Sequence, residues 1–508
     1  MQSGYSRVNA FSHQQNISST EEGSPVAITA LCIFLVLMVL VGIWGMKKTV
    51  TLSDFILGGR SIGPWFSAFA YGATYFSAVL FIGFAGKIGW GFGLKGLWIA
   101  AGNAVIGSLL AWFVLGRRTR RMTKNLEAIT MPEFLQERFE GKYIKMLGAV
   151  VTFVFLVPYS ASVFKGLGYL FEVNLKISYD MALFLMIGIT GIYLVLGGYF
   201  AVILTDFFQG IIKIFGASLM VLVIAGNAGG IVNATHLIMV KYAQHVPAAR
   251  EPGLLLLVAL VFMTSFGAWG MPQMVQKFYS IKDESMIPKA AIVTCLFAAI
   301  ISFAAYFVGA SAHIFYDQVP LLNGKAAFDR IIPQLLVHQL PESLMAVIML
   351  LILSASMSTL SSLVLVAASA IAVDLHKGYI DRQVSTEKSV VIMRLLSGAF
   401  IVFSYLIARY QFAFIVTLMS LSWGVVAGAF LAPYVYGLYW KRATHAGVLA
   451  GMISGIVLGV LLFFWWGQDR SPIASSVAML VPFAVIPLVS LLTAPPSKKT
   501  LDKAFNGI

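Results

Sequence analysis

Serine and threonine hydroxyls crowd one apolar stretch of the chain, between Ser354 and Ser362. The surrounding run, from about residue 344 to 373, is long enough to cross the hydrocarbon core of a bilayer. Four of the serines recur at i, i+4, i+7 and i+8, so on a helix they form one stripe of oxygen atoms. They are Ser354, Ser358, Ser361 and Ser362.

Neutral oxygen atoms on one helix face suit a hard monovalent cation, by the ligand preference that surrounds calcium with oxygen. The same residues also allow two membrane helices to approach closely and to hydrogen-bond. The stretch by itself is therefore compatible with an ion site or with helix packing. Other parts of the chain are needed to distinguish the two.

The composition of the 508-residue chain is that of a polytopic all-α membrane protein. It is 59% hydrophobic and 11% charged, whereas a soluble protein has about 25% charged residues. A net charge of +14 would favour nucleic acid as the partner of a soluble protein. Here the cations gather in loops on one side of the predicted spans, so we expect a lipid bilayer and no nucleic acid.

Hydropathy predicts about thirteen transmembrane helices. They cover approximately residues 24–46, 63–84, 94–116, 144–172, 180–196, 200–226, 253–272, 290–318, 343–370, 390–408, 412–439, 445–467 and 473–494. Most Lys and Arg fall in alternate loops, such as those with Arg117–Arg121, with Lys277 and Lys282, and with Lys441-Arg442. This asymmetry predicts a multi-pass protein of the plasma (inner) membrane with its N-terminus outside and its C-terminus in the cytoplasm.

Glycine and proline interrupt two of these spans. The second contains Gly72 within a small, polar segment, and the seventh ends in Gly267 to Pro272. Broken helices free backbone groups that lipid cannot satisfy, so they persist where they line a cavity. The two spans are five apart, which is the spacing of two inverted five-helix repeats that each begin with a discontinuous helix.

Charged residues inside the spans are costly and tend to face a cavity. Asp206 and Lys213 are seven residues apart, with Gln209 and Gly210 between them on the same helix face. This face is either a polar lane for a cation or proton, or a helix end that Asp206 caps. Lys165 is close enough to the outer interface for its side chain to reach water.

Four motifs, in this order, resemble the sodium:solute symporter family over about residues 50 to 445. The chain is closest in pattern to the family's bacterial proline and pantothenate transporters. The motifs are Asp54–Gly63, Gly197–Ala201 with Thr205–Gly210, Met357–Leu375 and Gly437–Ala443. The resemblance implies a LeuT-type five-plus-five inverted repeat with alternating access, and a transporter rather than an enzyme.

The implied organisation has six parts. We expect a disordered extracellular tail (1–23), a peripheral helix (24–46), a first repeat (63–226), a second repeat (253–439), two more peripheral helices (445–494) and a cytoplasmic tail (495–508).

The resemblance also implies the positions of the binding sites. Sodium would be held by the backbone carbonyls of Ala73, Phe76 and Ala355 and by the hydroxyls of Ser358 and Thr359. Asp206 would assist sodium on its inward path. The solute would contact Thr74, Ser77, Tyr159, Trp269 and Pro272.

Several positions depart from the family pattern. Tyr75 replaces an acid of the proline transporters, and Thr264 and Ala268 replace a tryptophan and a tyrosine, so we do not expect proline as the substrate. Lys213 stands where an apolar residue is expected. In some proton-coupled transporters of this fold, a lysine on the corresponding helix takes the place of sodium.

The sequence therefore predicts a secondary active symporter for a small organic solute, with a carboxylate-bearing solute expected and sodium as the coupling ion. The alternative is a proton-coupled, sodium-independent transporter of the same fold in which Lys213 replaces the ion. A channel or a transporter-like receptor is the remaining class.

Overall fold

Backbone groups in lipid have no water to bond, so apolar runs of this length must satisfy their own hydrogen bonds as helices. The computed structural model describes residues 25–46, 52–196, 199–322, 324–411 and 413–508. The predicted N-terminal tail and Gly197-Gly198 lie outside these ranges. Within them the fold is helical, with one two-stranded hairpin of β1 (Leu321–Leu322) and β2 (Lys325–Ala326).

The helices are numbered in chain order. The first eleven are α1 (Pro25–Met46), α2 (Leu52–Leu57), α3 (Pro64–Tyr75), α4 (Ala85–Phe92), α5 (Leu97–Ala104), α6 (Arg117–Asn125), α7 (Met131–Phe139), α8 (Lys142–Leu175), α9 (Tyr179–Leu196), α10 (Tyr199–Asn227) and α11 (Ile231–His245). The others are α12 (Leu254–Gly267), α13 (Pro272–Ser280), α14 (Ile287–Phe315), α15 (Ile331–Gln339), α16 (Glu342–Ser369), α17 (Thr386–Tyr410), α18 (Ile415–Tyr439), α19 (His445–Trp466), α20 (Ser471–Leu491) and α21 (Lys498–Ala504).

Every predicted span overlaps a helical segment. Among the described residues, nine helices are long and apolar enough to cross a membrane, and the pair α12 and α13 makes a tenth if it is counted as one bent span. Segments of π-helix extend some of them, as at Val79–Phe84 before α4 and at Ala370–Ile380 after α16.

Both predicted interruptions are present. The first lies between α3 and Val79, where Phe76 has extended backbone angles (φ −107°, ψ 104°). The second lies between α12 and α13, where Met271 is extended and the two helices are bent by 48°. Proline begins α13 because its missing N–H costs nothing in the first turn of a helix.

Small residues bring the central helices together. A Cβ atom at Gly72 of α3 would lie 2.5 Å from the Phe297 ring, and one at Gly210 of α10 would lie 2.6 Å from the Phe69 ring. A Cβ atom at Gly216 would lie 2.7 Å from Leu351 of α16. Helices in lipid commonly pack through small residues in this way. Here the close packing places the break of α3 between α10 and α16.

The short helix α7 follows the basic segment of α6 and begins with a side-chain cap. The Thr130 hydroxyl accepts the N–H of Glu133 at 3.1 Å, and the Glu133 carboxylate accepts the N–H of Ile129 at 2.9 Å. This reciprocal arrangement is close to a capping box. Arg138 then bonds the carbonyls of Gly437 and Trp440, so α7 is fixed to the end of α18.

The side of the bundle that carries α6, α7 and the end of α18 is called the basic face below, because Arg117–Arg121 and Lys441 lie there. Arg118 bonds the Leu438 carbonyl, and Arg121 pairs with Glu284 at 2.7 Å. On the opposite side, the loop after α14 folds into the hairpin and α15.

Candidate cation and solute site

The serine stripe faces the break of the first discontinuous helix. Ser358 and Thr359 are fully buried on α16, and the break presents the carbonyls of Ala73, Thr74 and Phe76. Main-chain oxygens are free here because the helix stops at Tyr75. The packing of α3 against α16 therefore gathers hydroxyl and carbonyl oxygens in one place.

The ammonium group of Lys213 lies among these oxygens. Its Nζ atom donates to the Ala73 carbonyl at 2.7 Å, to the Phe76 carbonyl at 3.3 Å and to Ser358 Oγ at 2.5 Å. The side chain comes from α10 and is fully buried. Three of the five residues predicted to hold sodium thus accept hydrogen bonds from one lysine.

The other two predicted ligands adjoin this group. Thr359 Oγ1 lies 3.0 Å from the Thr74 carbonyl and 3.2 Å from the Ala355 carbonyl. The Ala355 carbonyl also lies 3.2 Å from Ser358 Oγ. The structure therefore brings all five predicted ligands together, with the nitrogen of Lys213 among them. Whether they bind sodium remains a prediction.

A second buried lysine lies one turn further along the stripe. Lys277 of α13 donates to Ser362 Oγ at 3.1 Å, and its Nζ lies 3.6 Å from Asp206 Oδ2 and 5.0 Å from the centre of the Tyr199 ring. Lys277 and Asp206 are both fully buried. The sequence predicts a loop position for Lys277, but the bend before α13 returns this residue to the interior.

Asp206 is held by charge more than by hydrogen bonds. Neither of its carboxylate oxygens has a hydrogen-bond partner within the described part of the chain. It lies two turns before Lys213 on α10, and Lys277 faces it from α13. The predicted polar face of α10 is therefore present. The sequence pattern did not identify Lys277 as the partner of Asp206.

A cavity of about 300 Å³, counted with its opening to solvent, lies beside the break of α3. Ser77 and Tyr159 line it, together with Asn103, Thr264 and Tyr306. The Tyr306 hydroxyl is buried and has no partner among the described residues. Polar groups that converge on a small apolar cavity are the ordinary form of a solute site.

The remaining residues predicted to contact solute lie elsewhere. The Thr74 side chain points to α16, where its hydroxyl is 3.0 Å from Ser362 Oγ. Trp269 donates its indole N–H to the Ile106 carbonyl at 3.0 Å. Pro272 lines a second cavity of about 310 Å³ near the basic face. Only Ser77 and Tyr159 of the five predicted contacts line the cavity at the break, and all five remain predictions.

Two departures from the family pattern meet in this cavity. The Tyr75 hydroxyl donates to the Thr264 carbonyl at 2.6 Å and lies 3.2 Å from Asn103 Oδ1. A Cβ atom at Gly107 would lie 2.1 Å from that hydroxyl, so the tyrosine needs glycine there. Tyr75, which replaces an acid, therefore lies next to Thr264, which replaces a tryptophan.

The sequence pattern missed Lys277, Asn103 and Tyr306. Asn103 had a usable signal, because a lone amide in the middle of an apolar span requires a partner. Lys277 had a weaker one, since it follows a broken span directly. Tyr306 is one of several tyrosines in apolar runs and had no distinguishing signal.

Two broken helices, an oxygen-lined position that holds the Lys213 ammonium and a small polar cavity beside it are the features expected of a secondary transporter with discontinuous helices. The sequence profile of the Sodium:solute symporter family matches residues 55–455. The chain belongs to this family, so it is a membrane transporter and not an enzyme.

Curated relatives agree with this assignment. A sodium/proline symporter of Staphylococcus aureus (strain bovine RF122 / ET3-1) is 30% identical over 86% of this chain and 85% of its own length. The osmoregulated proline transporter OpuE of Bacillus subtilis (strain 168) is 30% identical over 93% of this chain and 96% of its own length.

Solved structures share the fold. A Na+-coupled sialic acid symporter in a substrate-bound outward-open state superposes with a TM-score of 0.77 at 20% identity, over 93% of this chain and 99% of the other. The nucleobase-cation-symport-1 transporter Mhp1, in a closed conformation, gives 0.54 at 13% identity over 90% and 99%. The predicted LeuT-type architecture is confirmed.

Proposed function

We propose that this protein is a secondary active symporter that carries a small organic solute by alternating access and couples its movement to a cation at the break of α3. The observation that carries the proposal is the contact of one cation, the Lys213 ammonium, with the Ala73 and Phe76 carbonyls and Ser358. A solute in the adjoining cavity would share the residues of the break with that cation. Binding of one would then affect binding of the other by reciprocal linkage.

Sodium is one candidate for the coupling ion. Family membership supports it, as do the names of the proline symporters and the sialic acid symporter. The carbonyl and hydroxyl oxygens around Ser358 and Thr359 are ligands of the right kind. In this candidate, Lys213 must leave the oxygens before sodium enters.

A proton carried by Lys213 is the second candidate, and the geometry favours it. The ammonium has the charge of a sodium ion and bonds three of the predicted sodium ligands. The neighbouring charges of Asp206 and Lys277 compensate each other. Loss and return of one proton at Lys213 would then empty and refill the cation position once in each transport cycle.

The solute is proposed to bear a carboxylate. Two of the relatives and neighbours are named for proline and sialic acid, each of which has one. The cavity at the break is small and partly polar, which supports a small solute such as an amino acid or a short carboxylic acid. The Asn103 amide and the Tyr159 and Tyr306 hydroxyls supply donors.

The plasma membrane is the proposed location, in keeping with a transporter family and many apolar helices. We place the basic face in the cytoplasm, because cytoplasmic loops of membrane proteins are rich in Lys and Arg. The repeats are proposed to span residues 63–226 and 253–439, each beginning with one of the two broken helices.

Uptake by proteoliposomes distinguishes the two ions. L-proline, pantothenate, pyruvate and lactate are offered under an inward pH gradient without sodium, or under an inward sodium gradient at equal pH. We expect one of the carboxylates to accumulate under the pH gradient alone. Accumulation that requires sodium and ignores the pH gradient would establish the sodium candidate. Uptake that never exceeds the outside concentration under either gradient would indicate a channel.

A further inference from the structure

Helix α8 carries a buried lysine near each end. Lys145 and Lys165 are twenty residues apart, which is about 30 Å along a helix axis. Each lies next to a buried aspartate from another part of the chain: Lys145 next to Asp374, and Lys165 next to Asp329. A buried ion pair is costly to form and seldom adds stability, so two of them on one helix call for a functional explanation.

The pair at the outer end is the tighter one. Lys165 Nζ lies 3.1 Å from Asp329 Oδ2, and the side chains are 3% and 4% exposed. Lys165 also donates to the Ala413 carbonyl at 2.6 Å, and Asp329 Oδ2 accepts the N–H of Ile415 at 3.1 Å. The pair therefore ties α8 to the segment before α15 and to the start of α18.

This pair lies between two cavities. A large cavity of about 1,280 Å³ opens on the side opposite the basic face, and Lys165 and Asp329 belong to its lining. The cavity at the break is lined by Tyr159 of α8 and Met419 of α18. Tyr159 is six residues before Lys165, or about 9 Å along the helix. Helix α8 thus lines both cavities, and the segment that leads into α18 lines the large one through Ala413 and Phe414. The ion pair holds α8 and the start of α18 together at this point.

We propose that the Lys165–Asp329 ion pair is the outer gate, which must separate for solute to pass from the large cavity to the cavity at the break. Attraction between the two charges is strong while water is excluded and falls when water enters. Each charge alone is well hydrated in the open mouth. Such a pair favours two states over any intermediate one. In the first, the two side chains are in contact and water is excluded; in the second, they are apart and each is hydrated.

The Lys145–Asp374 pair is the corresponding buried ion pair near the basic face. Its charged atoms lie 3.6 Å apart, and Thr130 donates to Asp374 Oδ1 at 2.7 Å. Asp374 lines the cavity of about 310 Å³ that also contains Pro272. If both pairs act as gates, breaking one should open the interior toward one face only.

The gate is tested by labelling a cysteine in the cavity from one face at a time. The full-length chain carries Cys32→Ser, Cys295→Ala and the reporter Ser77→Cys, and is kept in sealed vesicles of known orientation. A membrane-impermeant methanethiosulfonate reagent is the probe. We expect Asp329→Asn to raise the labelling rate about tenfold from the outer side, which is a 1.4 kcal/mol shift toward the open state. The rate from the basic face should not change.

The chain offers a matched control. Arg330 and Glu172 form an ion pair at 2.8 Å at the same mouth, but their side chains are 19% and 22% exposed. Glu172→Gln should leave the rate of labelling unchanged. Asp374→Asn should raise the rate from the basic face only.

An unchanged rate in Asp329→Asn would overturn the proposal, as would an equal rise in Glu172→Gln. If Asp329→Asn does not give folded protein, the double variant Lys165→Met/Asp329→Asn leaves no unpaired buried charge and is read by the same criteria. The assay uses no solute and no ion gradient. Failure of the gate would therefore leave the proposed transport function standing, and failure of that function would leave the gate testable.

Discussion

Lys213 and Lys277 bond serines on successive turns of α16, Ser358 and Ser362, yet their charges are balanced in different ways. Lys277 lies next to the Asp206 carboxylate and bonds Ser362. Lys213 bonds two carbonyls and Ser358, which are all neutral. An ammonium beside an acid is an ordinary buried ion pair, whereas one held by neutral oxygens occupies a position suited to a free cation.

The difference separates a structural charge from a transferable one. Removing the charge of Lys277 leaves Asp206 unpaired in the interior, so its effect should fall first on stability. Removing the charge of Lys213 leaves neutral oxygens that another cation can use. Its effect should fall first on coupling.

Substitution of Lys213 should abolish uptake driven by a pH gradient. Lys213→Met removes the proton-carrying group, and Lys213→Arg retains a charge that cannot be given up in a protein. Both variants are therefore expected to show background uptake in proteoliposomes. Full activity in Lys213→Arg would mean that the charge, and not the exchange of its proton, is what transport requires.

Lys277→Met should destabilise the protein by about 3–5 kcal/mol, because it leaves an unpaired carboxylate in a buried site. Chemical unfolding in mixed micelles measures the change. Lys277→Met combined with Asp206→Asn removes both charges and should recover most of the loss. A double variant as unstable as Lys277→Met alone would show that packing, and not charge, is responsible.

Thr359→Ala should lower the free energy of unfolding by about 1 kcal/mol, since it removes the hydroxyl that bonds the Thr74 carbonyl across helices. If sodium is the coupling ion, the same change should also weaken sodium-dependent uptake sharply. Ser356→Ala is the control, because that hydroxyl bonds Ile352 within its own helix. Equal effects of the two substitutions would argue against a special role for Thr359.

The smallest effect is expected at the surface. The hydrogen bond from Lys95 holds the pKa of the Glu251 carboxyl below its ordinary value, so this pair stabilises the fold above the ordinary glutamate pKa and loses its contribution as the pH falls. Lys95→Ala should cost less than about 1 kcal/mol at neutral pH. A difference between variant and parent that persists at pH 3 would exclude this electrostatic origin.

Much of the fold could be predicted from the sequence. Spans, the two breaks and the family motifs depend on local composition, and each predicted span overlaps a helix. The grouping of the five predicted oxygen ligands around Ser358 could also be expected from the sequence, because the motifs of α16 and the break of α3 are each short and recognisable.

The partners of the buried charges could not be predicted. Lys277 was counted as a loop residue because the 48° bend before α13, which turns it inward, depends on how the helices pack. The pairing of Lys165 with Asp329 joins residues 164 positions apart, and no periodic pattern links them. Likewise, the contact between Tyr75 and Thr264 depends on space left by Gly107.

The response of the purified protein to sodium tests the central claim, that the Lys213 ammonium holds the cation position. Thermal unfolding is followed in sodium chloride and in choline chloride for the parent, Lys213→Ala and Lys213→Met. Lys213→Ala frees the oxygens, whereas Lys213→Met fills the space without charge. We expect sodium to stabilise Lys213→Ala alone, by about 1.4 kcal/mol at ten times its Kd. Stabilisation of the parent by sodium, to the same extent as Lys213→Ala, would contradict the claim.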